Sequence, residues 1–396
     1  MNWKKNLAVI WLSQFLSIMG FSFAMPFAPY YIQYLGVTDP VRLKLWISVF
    51  AAATPLTLAV FSPVWGALAD RYGRRIMLLR ANFAGAVVVA LMGVVRSVEV
   101  LVLLRLMQGM FTGTMTAAQT MVSVNTPEHR SGLALGALSA AVYSGGMVGA
   151  FTGGFVADLL GFRYAFLAGG GLLLAAGLLV LFGTSESVDR ERDEEEVSVR
   201  LKPAAHEMMA VMPILVLIIA MAFVRQFDSA FLPLLVQDIH GSLRGVSMWT
   251  GSLSAAGGIA GLMAGPLLGR LADRISPPRI GKLSALGAGL LMIPQGLATG
   301  FGLLFAARFG TVFCAGGLDP VFQIWLAKIT PPERRGLVFG WSGTARSIGW
   351  IVAPLVSGVV AARWDIRTVF FTGAVLYVAL IPAISFAVKR LQRSAT

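Results

Sequence analysis

The side chains of this sequence best placed to do chemistry are ionisable residues inside apolar runs: Asp228 and Asp319, with Arg105, Arg225, Arg308 and Arg346. A charge in hydrocarbon needs a partner or a water-filled interior, so each marks a candidate route for an ion or a polar ligand. His129, His206 and His240 fall in loops or at helix ends, so a proton relay would run on carboxylates. Arg225 and Asp228 are three residues apart, share one face of a helix and can pair directly. The sharper expectation is that Asp228 or Asp319 takes up a proton on one side and releases it when an arginine approaches. Asp319 is the better placed, because Gly316-Gly317-Leu318-Asp319-Pro320 is a flexible segment near the middle of its apolar run. Arg105, Arg225 and Arg346 are the candidate charge partners. Arg105, close after Glu99, could instead snorkel toward its helix end.

A second group of residues suits ligand contact. Phe23, Met115, Tyr143, Phe227, Phe231, Phe322, Gln323 and Trp341 would give a deformable, mostly apolar pocket for lipophilic compounds. Each of them serves interhelical packing equally well. The single cysteine, Cys314, sits in an apolar run, and no Cys/His pattern suggests a metal. Neither a nucleophile/base pair nor a phosphate-binding glycine loop stands beside a helix start, so an enzyme is not indicated. No cofactor is expected beyond a coupling ion, H+.

The elements that must position these residues are membrane spans. Of the residues, 57% are hydrophobic and 13% charged, against about 25% charged in a soluble domain. Mean hydropathy is +0.76, and the 44 glycines suit helices that approach closely in lipid. Apolar runs long enough to span lie near 7–34, 46–69, 76–95, 98–121, 133–159, 164–183, 211–237, 247–271, 280–299, 303–326, 336–361 and 367–388. The first follows Lys4 and Lys5 without a small-residue cleavage site and is read as a retained helix. Between the sixth and seventh runs, Asp189 to Glu196 is a mixed-charge segment that reads as a solvated linker. The expected organisation is an all-α polytopic protein of twelve spans: a six-helix bundle over 1–184, a cytoplasmic linker over 185–210 and a second bundle over 211–396.

The net charge of +13 lies in short loops between the runs, so it reads as topology and gives no basis for nucleic-acid binding. With both termini cytoplasmic, 21 loop and terminal Lys and Arg fall inside and seven outside. The lone cysteine and the short loops fit a bacterial inner membrane, and the expected state is a monomer in the bilayer.

Shifting the chain by about 204 residues superimposes its halves. Trp46 falls on Trp249 and Arg105 on Arg308. Ser62-Pro63-Val-Trp-Gly66-Ala-Leu-Ala-Asp70-Arg71 falls on Gly265-Pro266-Leu-Leu-Gly269-Arg-Leu-Ala-Asp273-Arg274, and Thr126-Pro127 on Thr330-Pro331. Six spans return the chain to the same side, so the repeats are parallel, and substrate is expected between the halves.

The loop after the second span reads Gly66-Ala-Leu-Ala-Asp70-Arg71-Tyr-Gly73-Arg74-Arg75. It resembles the signature between helices 2 and 3 of the Major Facilitator Superfamily. The resemblance implies that Gly66 permits close helix contact. It also implies that Asp70, with Arg71, Gly73, Arg74, Arg75 and the repeat pair Asp273 and Arg274, forms a latch of the outward-facing state. Arg105-Leu-Met-Gln108-Gly109 is similar to the family's helix 4 motif, whose arginine is implicated in proton coupling. Gly145, Gly149, Gly153 and Gly154 resemble the helix 5 antiporter signature, with Ala150 where a proline is usual. The second half keeps Pro354. Together these motifs lean toward the twelve-helix drug:proton antiporter branch, which implies efflux of amphipathic drug-like compounds by alternating access. A carrier of a sugar or organic anion would call for more polar residues than Gln14, Gln119, Gln226 and Gln323. A nontransporting sensor or scaffold leaves the intact repeat motifs unexplained.

Overall fold

The computed structural model describes residues 3–127, 130–184, 205–330 and 335–394, and among them there are helices and no strands. We number the helices α1 Trp3–Ser22, α2 Ala28–Tyr34, α3 Pro40–Tyr72, α4 Arg74–Met92, α5 Val98–Phe111, α6 Thr114–Asn125, α7 Ser131–Leu160 and α8 Phe162–Gly183. There follow α9 Ala205–Gln226, α10 Leu232–His240, α11 Val246–Arg274, α12 Pro277–Leu297, α13 Phe301–Gly316, α14 Leu318–Ile329, α15 Arg335–Arg363 and α16 Ile366–Ser394. The apolar runs map onto these helices in order. The first, fourth, seventh and tenth runs are each split into two helices.

The splits have local causes. Pro26 lies within the short 3-10 turn Met25–Phe27 between α1 and α2, and Pro29 stands in the first turn of α2. Gly113, at φ +117°, stands between α5 and α6. Phe227 to Phe231 form turns ahead of Pro233, and Gly316-Gly317 separates α13 from α14. Breaks at matching places in both repeats are what a carrier needs, because unwound backbone inside a bundle can contact a ligand or ion.

Among the described residues, nine helical stretches are long and apolar enough to cross a membrane. Of the other three expected runs, two are interrupted by helix breaks. The fourth is divided into helices of 14 and 12 residues. The seventh contributes only the shorter apolar stretch Met212–Gln226 before its break. The eighth is α11, 29 residues long.

The helices form two compact units. One comprises α1 to α8 with Val236–Gly258; the other comprises α9, the start of α10, and the chain from Ile259 onward. Within the first, α1 packs on α7 and α8, and α4 on α8; within the second, α9 packs on α15 and α16, and α12 on α16. The same packing plan thus occurs in both repeats.

Candidate functional site

The second unit gathers the charges. Asp319 stands in the first turn of α14, where the positive end of the helix favours a carboxylate. Its Oδ2 lies 3.4 Å from Nη1 of Arg225 on α9, and its Oδ1 lies 3.4 Å from Nη2 of Arg346 on α15. One acid therefore ties three spans together. All three side chains keep 28–32% of their surface exposed, so the triad remains reachable by water.

Asp228 is buried at 2% exposure and pairs closely with Nη1 of Arg308 on α13. The expected pair between Arg225 and Asp228 does not form. α9 ends at Gln226, so the helical register that would align residues three apart stops before Asp228. The break turns Asp228 toward α13 and leaves Arg225 to Asp319.

Arg105 on α5 occupies the place equivalent to Arg308. Its Nη1 donates to Oε1 of Gln108 and reaches Sδ of Met25 at 2.9 Å, and its guanidinium lies 4.8 Å from the centre of the Phe50 ring. It does not snorkel to a helix end. Met25 stands where the second unit has Asp228, so among the described residues Arg105 has no carboxylate partner. Close packing holds α5 in place: a Cβ on Gly109 would lie 2.3 Å from the carbonyl oxygen of Thr54 on α3. The hydroxyls of Thr54 and Thr57 donate to the carbonyls of Arg105 and Leu106 at 3.1 and 2.7 Å.

The glycines of α7 are contacts between backbones. A Cβ on Gly145, Gly149 or Gly153 would come within 2.5, 2.5 or 1.8 Å of the carbonyl oxygens of Phe15, Met19 and Phe23. Spaced four apart, they form one face against α1. Gly154 faces α11 instead, where a Cβ would meet the Ser247 carbonyl at 2.5 Å. In the second unit Gly349 does for α15 and α9 what Gly145 does for α7 and α1, with a Cβ 2.7 Å from the carbonyl of Ile219. Pro354, buried inside α15, leaves its carbonyl to the hydroxyl of Ser357 at 3.2 Å.

The sequence profile of the Major Facilitator Superfamily matches residues 10–294 and 250–395. The chain belongs to that superfamily. A multidrug resistance protein MdtG of Klebsiella pneumoniae (strain 342) is 34% identical over 97% of this chain and 94% of its own length. The MdtG of Salmonella heidelberg (strain SL476) is 33% identical over 98% and 97%. Among solved structures, a nucleoside transporter, NupG, superimposes with a TM-score of 0.77 at 17% identity, over 96% of this chain and 99% of that one. That likeness concerns the fold.

In this facilitator the signature loop is only partly as expected. Gly73 turns between α3 and α4 at φ +92°, and its N–H caps α3 by donating to the Ala69 carbonyl at 2.9 Å. Nη2 of Arg75 donates to the Leu181 carbonyl near the end of α8 at 2.6 Å, a cation on a helix C-terminus. Arg71 lies over the ring of Tyr72, and Arg74 lines a cavity of about 210 Å³ with Trp65, Arg80 and Gly113. Among the described residues, a Cβ on Gly66 meets nothing within 4 Å. The side chains of Asp70, Asp273 and Arg274 lie outside the described residues.

The ligand-contact candidates separate. Phe227, Phe231 and Phe322 are fully buried and Phe23 nearly so, and as packing groups they present no open surface. Tyr143 is exposed, Met115 and Trp341 are half-buried, and Gln323 donates to the Ser342 hydroxyl at 3.4 Å.

Sequence reasoning missed the pins of the fourth break. Trp65 Nε1 donates to the Met110 carbonyl at 2.6 Å, Arg80 Nη2 to that of Thr112 at 3.3 Å, and Gln14 Nε2 to that of Thr114 at 3.1 Å. Arg80 also lies 3.5 Å from the Trp65 ring centre. Counted as loop charge, Arg80 carried no signal except its place inside α4. Trp65→Phe removes one donor and leaves a carbonyl unsatisfied. The expected loss is about 1–3 kcal/mol, read as a lower unfolding temperature in detergent.

Proposed function

We propose that this facilitator exports amphipathic, drug-like compounds in exchange for protons, working as a monomer in a bacterial inner membrane with both termini cytoplasmic. The observation that carries the coupling step is the Arg225–Asp319–Arg346 triad, a single water-accessible carboxylate that ties three spans and sits at a helix break. A proton arriving on Asp319 cancels the charge both arginines address, which frees α9, α14 and α15 to rearrange. Return of the arginines expels the proton on the other side. The substrate class rests on the relatives named as multidrug resistance proteins over nearly the whole chain. The excess of Lys and Arg in the loops assigned to the inside supports the orientation.

The test is flux in inverted membrane vesicles under a pH gradient, with an ethidium-like dye and lumenal pH followed together. Native protein is expected to accumulate dye with coupled proton release, and Asp319→Asn to lose at least about nine-tenths of it. Dye-coupled proton flux that survives Asp319→Asn removes this carboxylate from the mechanism. Absence of any dye-coupled flux in the native protein would leave a metabolite carrier on the same fold.

A further inference from the structure

Two residues before α7 ends, Asp158 turns its carboxylate onto the start of α11. Oδ2 accepts from the Met248 N–H at 2.7 Å and Oδ1 from the Ser247 N–H at 3.2 Å. α11 begins at Val246, so both amides belong to its first turn, which has no intrahelical acceptors for them. The cap is thus supplied by a carboxylate from another helix, and the positive end of α11 reinforces it.

The surroundings are tight and polar. Besides the Gly154 contact, a Cβ on Gly251 would lie 2.3 Å from the Ala150 carbonyl. Tyr30 and Thr250 share a hydrogen bond of 2.7 Å, and the side-chain amides of Gln33 and Gln237 bond each other at 2.8 and 3.0 Å. Backbone contacts and exchangeable polar bonds hold this region, beside the buried side chains of Val246 and Leu253. α11 is also the helix that passes from the first compact unit to the second, at Gly258. A movement of the second unit in which α11 takes part as a rod must pull on its first turn.

We propose that Asp158 is a positioning residue for transport: its cap is a latch that holds the start of α11 on α7, and each cycle breaks and remakes it. The inference rests on the transporter reading and on the orientation proposed above, which places the latch at the outer end.

The test needs no substrate, so its outcome is independent of whether dyes are exported. In a Cys314→Ser background, Ser247→Cys places a thiol at a fully buried position beside the cap, and Ala285→Cys provides a buried reference on α12. Labelling by a membrane-impermeant methanethiosulfonate is followed in right-side-out vesicles. Asp158→Ala is expected to raise labelling at position 247 about fivefold, the scale of losing a helix cap, with the reference unchanged. Asp158→Asn, which keeps one acceptor oxygen, is expected to give a smaller rise, and it decides the matter if the alanine variant does not fold. Unchanged labelling at 247, or an equal rise at both positions, overturns the latch.

Discussion

Asp228→Ala is expected to abolish transport and to destabilise the protein by about 3–5 kcal/mol, because it leaves the Arg308 guanidinium in the bundle without its counter-charge. Asp228 is almost wholly buried and Arg308 keeps little exposure, so water offers poor compensation. The double variant Asp228→Ala/Arg308→Ala separates the two effects. It is expected to recover most of the lost stability, since no lone charge remains, but not the flux. Thermal unfolding in detergent and dye flux in vesicles, measured on the same preparations, check both. If Asp228→Ala alone melted like the native protein, the pair would not be structural.

Gly153→Val should be still more severe for folding. Even a Cβ at this position would lie 1.8 Å from the Phe23 carbonyl oxygen, and with backbone on both sides neither partner can swing away. α1 and α7 must separate by more than an ångström, which breaks the neighbouring contacts at Gly145 and Gly149. We expect less than about a tenth of the native folded yield in size-exclusion chromatography, an overpacking cost beyond the usual few kcal/mol because no rotamer relieves it. Gly136→Ala on the same helix is the control. A Cβ there meets open space, and alanine favours helix by up to about 1 kcal/mol, so its yield is expected to match or exceed native.

Much of the architecture was legible because it rests on properties a sequence displays directly. Apolar run length locates the helices, and the repeat register makes Arg105 the equivalent of Arg308. The α7 glycines were legible as a stripe but not by partner: spacing says which residues share a face, not that Gly153 meets α1 while Gly154 meets α11. Side-chain pairing was legible only where a helix was unbroken. Arg225 and Asp228 share a face only in a register that the turn after Gln226 interrupts. Asp158 went unread because a carboxylate near a helix end looks like any solvated residue until the amides it caps are brought in by a distant helix. Gly349 could have been found by carrying Gly145 through the repeat.

The charge inventory of the two repeats has a further consequence. Under the shift of 203 residues that puts Arg105 on Arg308, Asp228 falls on Met25 and Asp319 on Thr116, so a duplicated scaffold carries carboxylates in one copy and uncharged side chains in the other. Exchanging the copies would therefore not yield the same machine. If the exchange proposed above runs on Asp319, the second copy carries the group whose charge changes, while Arg105 leaves the first with a fixed cation. On that proposal a transport cycle has a driving side and a responding side built into the sequence, in spite of the repeat of its helices.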